Sequence, residues 1–355
     1  MVDLSMGQPT DPTPQFVRDA LTEAIATTQL CDYPSAEGIP QLRAAIGGWI
    51  ERRFGMRLDP DREVLPTLGA KEPIAVLARL FAREGDTISV TSPSYPVPER
   101  SARAAGVTLT VQQLTEAGRW LLDPEQINWR RVAIVWVVTP HNPTGASASL
   151  ELLEELAERC RSRGAILAVD ETYSEFWFGA EPPASALELK NRTGVVVFNS
   201  LSKRSGLAGL RSGFVAGDSE IVGRIKRHRS DIGTTPQTFV QRASIAAWGE
   251  ESHVVEARAR YAHKRELLAD AAVRAGFVDA GASAGIFLWL GVPGGEDERA
   301  YELLLERSLL VVPGSFLGPG GGGYLRVALT GSPQDTARAA DLLALGARAL
   351  SSASV

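Results

Sequence analysis

The chain has 355 residues, of which 44% are hydrophobic and 22% charged, and a net charge of −5 at neutral pH. Such a chain builds one large domain or two smaller ones, and its charge excludes a nucleic-acid binder that works by bulk electrostatics. Its two cysteines, Cys31 and Cys160, belong to no CxxC or Cys/His cluster, so neither a disulfide framework nor a metal site is expected, and a reducing cytoplasm suits them. No apolar run reaches 18 residues, and the N-terminus has no basic stretch leading into an apolar one. Neither a membrane span nor a secretory leader is therefore expected.

The first helical spacing covers 71–84, directly after "TLGA". Gly69 and Ala70 put small residues at its start, where free amides bind phosphate well, although a plain strand–helix turn also wants glycine. Strands are expected over 86–93, 106–111 and 132–138. In "VVTPHNPTG" (137–145), Pro140 and Pro143 hold Asn142 in a turn. A helix over 150–164 precedes a strand over 165–169 that runs into Asp170 of "DETY". An acid there either caps a turn or is kept dry to pair with a cation, and Tyr173 either brings a hydroxyl to the same place or is an ordinary aromatic. Strands at 195–199 and 213–217 flank "SLSKRSGLAGLRS", and a helix follows over 219–228. Continuous β-branched runs alternating with helices predict an α/β fold with a doubly wound, mostly parallel sheet.

After residue 235 the pattern changes. A helical reach over 236–275, broken near Gly249, is followed by apolar runs at 284–291, 309–314 and 323–330, with helices over 296–307 and 333–350. This predicts a smaller α+β domain. The division is a large domain over 31–245 and a small one from 1–30 and 246–355.

Three short strings match well-known signatures and fail on context. "GASAG" (281–285) fits the nucleophile elbow, but that triad needs a later histidine, and the last one is His263. "GPGGGG" (318–323) fits a dinucleotide loop, but a strand pattern follows where a helix is required. "SLSK" (200–203) fits a serine acyltransferase, whose companion S-D-N and K-T-G strings are missing from the sequence.

Lys203 needs another explanation. It is one of five lysines, set after a buried strand among Ser200, Ser202 and glycines, with Arg211 eight residues on. Burial and a neighbouring cation both lower an amine's pKa, which favours a nucleophilic amine able to form a Schiff base. Serine hydroxyls and a bidentate arginine suit phosphate.

The ordered motifs "YPSAEGIPQLRAAI", "LGAKE", "SPSYP", "PHNPTG", "DETY", "SLSKRSGLAGLRSG" and "YLRVAL" together resemble the fold-type I, class I/II pyridoxal phosphate aminotransferases, over about residues 3–348. Within that family, "RARYAHKRE" and "VPGSFLGPGG" resemble the actinobacterial succinyldiaminopimelate aminotransferases. The resemblance implies an enzyme that moves an amino group between an amino acid and a 2-oxo acid, with N-succinyl-diaminopimelate and 2-oxoglutarate as the implied pair. Lys203 would carry pyridoxal 5'-phosphate as a Schiff base and then move the proton. Asp170 would face the pyridine nitrogen, Asn142 and Tyr173 the ring oxygen, and Tyr95 the ring face. Gly69, Ala70 and Lys71, through backbone amides, would hold the phosphate with Ser200, Ser202 and Arg211. Tyr33 would reach the phosphate of a second copy, giving a homodimer with shared sites.

For the substrate, the resemblance implies Arg326 on the α-carboxylate, with Gly7 and Asn142 nearby. It also implies a longer segment before "DLSMGQP", and a hydroxyl where Ala70 stands, so one phosphate contact fewer is expected. Arg43, Arg100, Arg204 and Arg258 are candidates for a distal carboxylate. A lyase, cyclase or oxidase of an amino acid on the same scaffold is the alternative. A regulator built on this body would need an added DNA-binding domain, for which residues 1–30 are too short.

Overall fold

The computed structural model describes residues 1–352, with side chains up to residue 344; residues 353–355, the end of the expected small domain, lie outside the described residues. The chain opens with β1 (Val2–Asp3), α1 (Gln15–Thr27), α2 (Pro40–Phe54) and β2 (Val64–Thr67). It continues through α3 (Lys71–Phe81), β3 (Thr87–Ser92), α4 (Val97–Ala104), β4 (Thr108–Gln113) and β5 (Val132–Val138). Next come α5 (Leu150–Arg161), β6 (Ile166–Asp170), β7 (Val195–Ser200), the single turn α6 (Leu201–Arg204) and β8 (Gly213–Gly217). Helices α7 (Ser219–Ile232), α8 (Thr238–Gly249) and α9 (Ser252–Arg274) lead into β9 (Val278–Asp279) and β10 (Phe287–Gly291). The last elements are α10 (Asp297–Glu306), β11 (Leu309–Leu310), β12 (Val312–Pro313), β13 (Tyr324–Ala328) and α11 (Pro333–Ser352).

Seven strands form one sheet in the order β2-β8-β7-β6-β5-β3-β4. The strands are parallel except β8, which runs antiparallel to both β7 and β2. Side chains alternate across it. Val135, Val137, Leu167, Val169 and Val197 join Trp49 of α2, Leu153 of α5 and Trp248 of α8. Ile134, Trp136, Ala168, Val196 and Phe198 meet Leu77 of α3, Ala102 of α4 and Ile225 of α7. Both faces are covered, so the strands read as continuous apolar runs without polar alternation. This is the doubly wound α/β arrangement expected.

Several elements escaped the sequence pattern: the helices α1, α2 and α4, and the short strands β1, β2 and β9. The strand β2 is four residues long and contains Pro66, which is tolerated because β2 is an edge strand. The run 309–314 is split between sheets. Strand β11 pairs with β1, while β12 joins β13, β10 and β9 in a four-stranded sheet. That sheet has its own core, in which Leu288 and Val327 pack with Leu268 of α9 and Leu343 of α11.

Candidate active site

Ligands in open α/β sheets bind at the carboxyl edge of the strands, and here six strands deliver side chains or amides to that edge. β2 ends before Gly69, Ala70 and Lys71; β3 before Tyr95; β5 before Asn142; β6 in Asp170; β7 in Ser200. Because β8 runs antiparallel, the connection from β7 returns to the edge it left, with Ser200 paired to Gly213. Lys203 and Arg211 therefore share one edge although they stand at opposite ends of a loop.

A cavity of about 640 Å³ lies over this edge. It brings together Ala70, Lys71, Tyr95, Asn142, Asp170, Tyr173, Ser200, Ser202, Lys203 and Arg211, with Gly7 and Arg326 from outside the seven-stranded sheet. Two residues assigned to the cofactor from the sequence do not line it. Gly69 lies behind Arg211 with φ +71°, and a Cβ there would come within 2.8 Å of Arg211 Nη2. Tyr33 is fully exposed at the surface.

The polar groups are individually placed. Arg211 donates to the carbonyls of Leu68 at 3.1 Å and Ala208 at 3.0 Å, which aims it at the start of α3. Ser200 Oγ lies 2.8 Å from Ser202 Oγ and accepts the Ser202 amide at 3.0 Å. Asn142 Nδ2 donates to the Tyr173 hydroxyl at 3.2 Å, and Asn142 Oδ1 accepts from Arg326 Nη1 at 3.1 Å. Arg326 also donates to the Ser5 carbonyl at 2.8 Å and stacks on the Phe287 ring, 4.5 Å from its centroid. Lys203 Nζ donates to the Gly7 carbonyl.

Ionisation follows from this crowding. Burial, then the Arg211 charge, pulls the Lys203 amine down to about 8. Burial raises Asp170, opposed by hydrogen bonds from Thr172 and by the Lys203 charge. Burial raises Tyr173, and the neighbouring Asp170 adds to it. Burial holds His141 down to about 4, so the ring beside Asn142 is neutral at physiological pH.

The cavity fits pyridoxal phosphate on its own chemistry. It offers an arginine, two hydroxyls and the first amides of α3 for a phosphate, an amine of lowered basicity for an aldehyde, and a buried carboxylate for a ring cation. Asp170 Oδ2 accepts no hydrogen bond among the described residues, which leaves that oxygen free for such a cation.

The four arginines open as candidates for a distal carboxylate do not line the cavity. Arg43 donates to Gly38 O at 2.6 Å and pairs with Asp61, and Arg100 is exposed on α4. Arg204 is buried between Trp49 and Trp248, and Arg258 pairs with Glu175 over Trp177. Each neutralises a local carboxylate or caps carbonyls, save Arg100, which faces solvent. Conversely, Ser5, Gln8, Thr172 and Phe287 line the cavity without having been singled out. Thr172 was visible inside "DETY", where a hydroxyl two residues after an acid can bond back to it. The other three depend on how the N-terminal segment and β10 fold over the edge, and no local pattern carries that.

Comparison with known proteins agrees with this geometry. The family described as aminotransferase class I and II matches residues 1–343. The 4-dedimethylamino-4-oxo-anhydrotetracycline transaminase of Streptomyces rimosus is 37% identical over 96% of this chain and 92% of its own length. An LL-diaminopimelate aminotransferase of Dehalococcoides mccartyi is 32% identical over 93% of this chain and 87% of its own. Among solved structures, an aminotransferase of Neisseria meningitidis superposes with a TM-score of 0.91 at 34% identity, covering 96% of this chain and 91% of that one.

Proposed function

Since the chain belongs to the class I and II aminotransferases, we propose that it moves an amino group between an amino acid and a 2-oxo acid, with Lys203 as the nucleophile and proton carrier. The observation that carries this is the meeting of Lys203, Asp170, Asn142, Tyr173 and Arg326 in one cavity with Arg211 and the start of α3. The family is pyridoxal-phosphate dependent, and when bound the cofactor supplies an aldehyde for the amine and an electron-accepting ring.

The chain's own residues then have separate tasks. Arg211, Ser200, Ser202 and the amides of Ala70 and Lys71 would hold the phosphate, whereas the Gly69 amide donates to Thr67 O at 2.9 Å. Asp170 keeps a positive charge on the ring nitrogen. Tyr95 covers the ring, and Asn142 with Tyr173 bonds its oxygen. Arg326 fixes the substrate carboxylate, which orients the Cα–H bond toward the Lys203 amine. Lys203 Nζ, as a free amine, would move the proton at Cα; such proton transfer contributes typically about 10²–10⁴-fold. Gly7 would stand beside the substrate in the cavity lining, where its lack of a side chain lets the segment pack on Phe287, whose ring a Cβ would approach to 2.6 Å.

We also read the division into a cofactor-holding unit (31–245) and a smaller unit (1–30 and 246–355) into this function; separate cores on the two sheets support it. Tyr33, fully exposed beside an exposed Leu30, is assigned to the phosphate site of a second copy, so that two chains share each site. Two unpaired cysteines favour a cytoplasmic setting.

For the substrate, similarity to the diaminopimelate aminotransferases supports the N-succinyl-diaminopimelate reading. Similarity to the tetracycline-pathway transaminase supports a bulky ketone as acceptor. With no cavity arginine besides Arg211 and Arg326 among the described residues, a ketone without a distal carboxylate suits this chain better. The test has two parts. Borohydride reduction of the cofactor-loaded protein should place the cofactor on the peptide containing Lys203; recovery on any other peptide rejects the assignment. Glutamate should then be converted to 2-oxoglutarate in step with amination of the correct acceptor.

A further inference from the structure

The carboxylate that faces the cofactor ring is itself held by one neighbouring side chain. Asp170 is 5% exposed at the end of β6, with no cationic partner within salt-bridge distance among the described residues. Burial without a partner favours the neutral acid. Two hydrogen bonds oppose that, and both come from Thr172: its amide at 3.0 Å and its hydroxyl at 2.5 Å. Both end on Oδ1. The one positive charge that favours its ionised form is that of Lys203, and this disappears whenever the amine is neutral. Thr172 lines the same cavity as Asp170.

We propose that Thr172 is a positioning residue for the reaction: its hydroxyl and amide bind Asp170 Oδ1, hold the carboxylate ionised, and leave Oδ2 directed at the ring nitrogen of the cofactor. The division of labour is physical. The amide bond is made by any residue at this position, but the hydroxyl is specific to Thr or Ser. A hydrogen bond to an ionised acceptor in a dry site is stronger than one between neutral groups. Without the hydroxyl, Asp170 keeps its proton to higher pH and its free oxygen can rotate away from the ring. The cation on the ring nitrogen is then less well held, and the ring is a poorer electron acceptor. The proposal rests on the cofactor reading above, and the experiment keeps the two apart.

Thr172→Val replaces the hydroxyl by a methyl of similar size, Thr172→Ser keeps the hydroxyl, and Asp170→Asn removes the carboxylate charge. Affinity of each apoprotein for pyridoxal phosphate is measured by titration, together with the pH dependence of the bound cofactor's visible absorbance. Thermal unfolding of the apoproteins checks the fold. Thr172→Val should bind the cofactor about ten- to a hundredfold more weakly. Its absorbance transition should move in the same direction as that of Asp170→Asn, and Thr172→Ser should stay close to the parent. If Asp170→Asn shifts the absorbance and Thr172→Val does not, Thr172 has no positioning role. If Asp170→Asn also leaves affinity and absorbance unchanged, the cofactor reading itself falls and the proposal with it. Should Thr172→Val unfold early, Thr172→Ala serves for the same comparison.

Discussion

At the scale of single residues, the sequence already marked Lys203 as unusual, because a lysine after a buried strand and near an arginine has its ammonium form disfavoured from two sides. Burial, then the Arg211 charge, brings its amine down to about 8 from the ordinary lysine value of 10.5. The folded apoprotein therefore holds fewer protons on this group than the unfolded chain does between those two values. This group's contribution to stability rises with pH across that window, and below it the protein carries the cost of a charged buried amine. The reactive neutral form becomes dominant as pH passes about 8. The rate at which pyridoxal, which lacks the phosphate, reacts with the apoprotein should rise with a midpoint near pH 8. A midpoint near that of free lysine would show that the amine is neither buried nor crowded. Thr172 was equally readable in the sequence, yet its importance lies in a hydrogen bond to Asp170, and a hydrogen bond is a distance that spacing along the chain leaves open.

Elements explain why motif strings succeeded or failed. The parallel strands were legible because both sheet faces are covered and the apolar runs are unbroken. The antiparallel course of β8 was not, since a strand's direction leaves no trace in its own composition; yet that reversal is what returns Arg211 to Lys203. "GASAG", which imitates a nucleophile elbow, is a backbone seam. Ala282 N donates to Thr144 O at 2.7 Å, Gly285 N to Phe176 O at 2.8 Å, and Phe178 N to Ser283 O at 2.8 Å. Gly145 lies against this seam with φ +74°, and a Cβ there would sit 2.4 Å from Ala284 O. Gly145→Ala should therefore destabilise the protein by about 3 kcal/mol through left-handed strain and a backbone clash. It should also weaken cofactor binding by displacing Asn142 three residues away. Denaturant unfolding and a cofactor titration check both. Gly47→Ala, in open space within α2, should be neutral or stabilising by about 0.5–1 kcal/mol in the same assay.

At the scale of the whole molecule, the N-terminal segment is a strap that joins the two sheets over the cavity. β1 pairs with β11, and Leu4 O accepts from Ala328 N at 2.8 Å. Ser5 O accepts from Arg326, Met6 O from Thr330 at 2.7 Å, and Gly7 O from Lys203. Four consecutive carbonyls thus tie the small sheet to Lys203. The proposed sharing of sites between two chains leads to a complementation experiment. A Lys203→Ala chain and a Tyr33→Ala chain, each weakly active alone, should regain about one quarter of parental activity when unfolded and reassembled as an equal mixture, because half the dimers are mixed and each mixed dimer has one intact site. Absence of recovery would show that Tyr33 serves no second chain. The residue types, their order and the alternation of apolar runs are local properties, so the sequence alone determined the α/β architecture, the family and nearly every residue at the sheet edge. Which arginines enter the cavity, how the strap closes it and which oxygen of Asp170 is left free were decided only by the tertiary structure. Those are contacts between segments up to 324 residues apart, made when elements that carry no mark of one another in sequence are packed together.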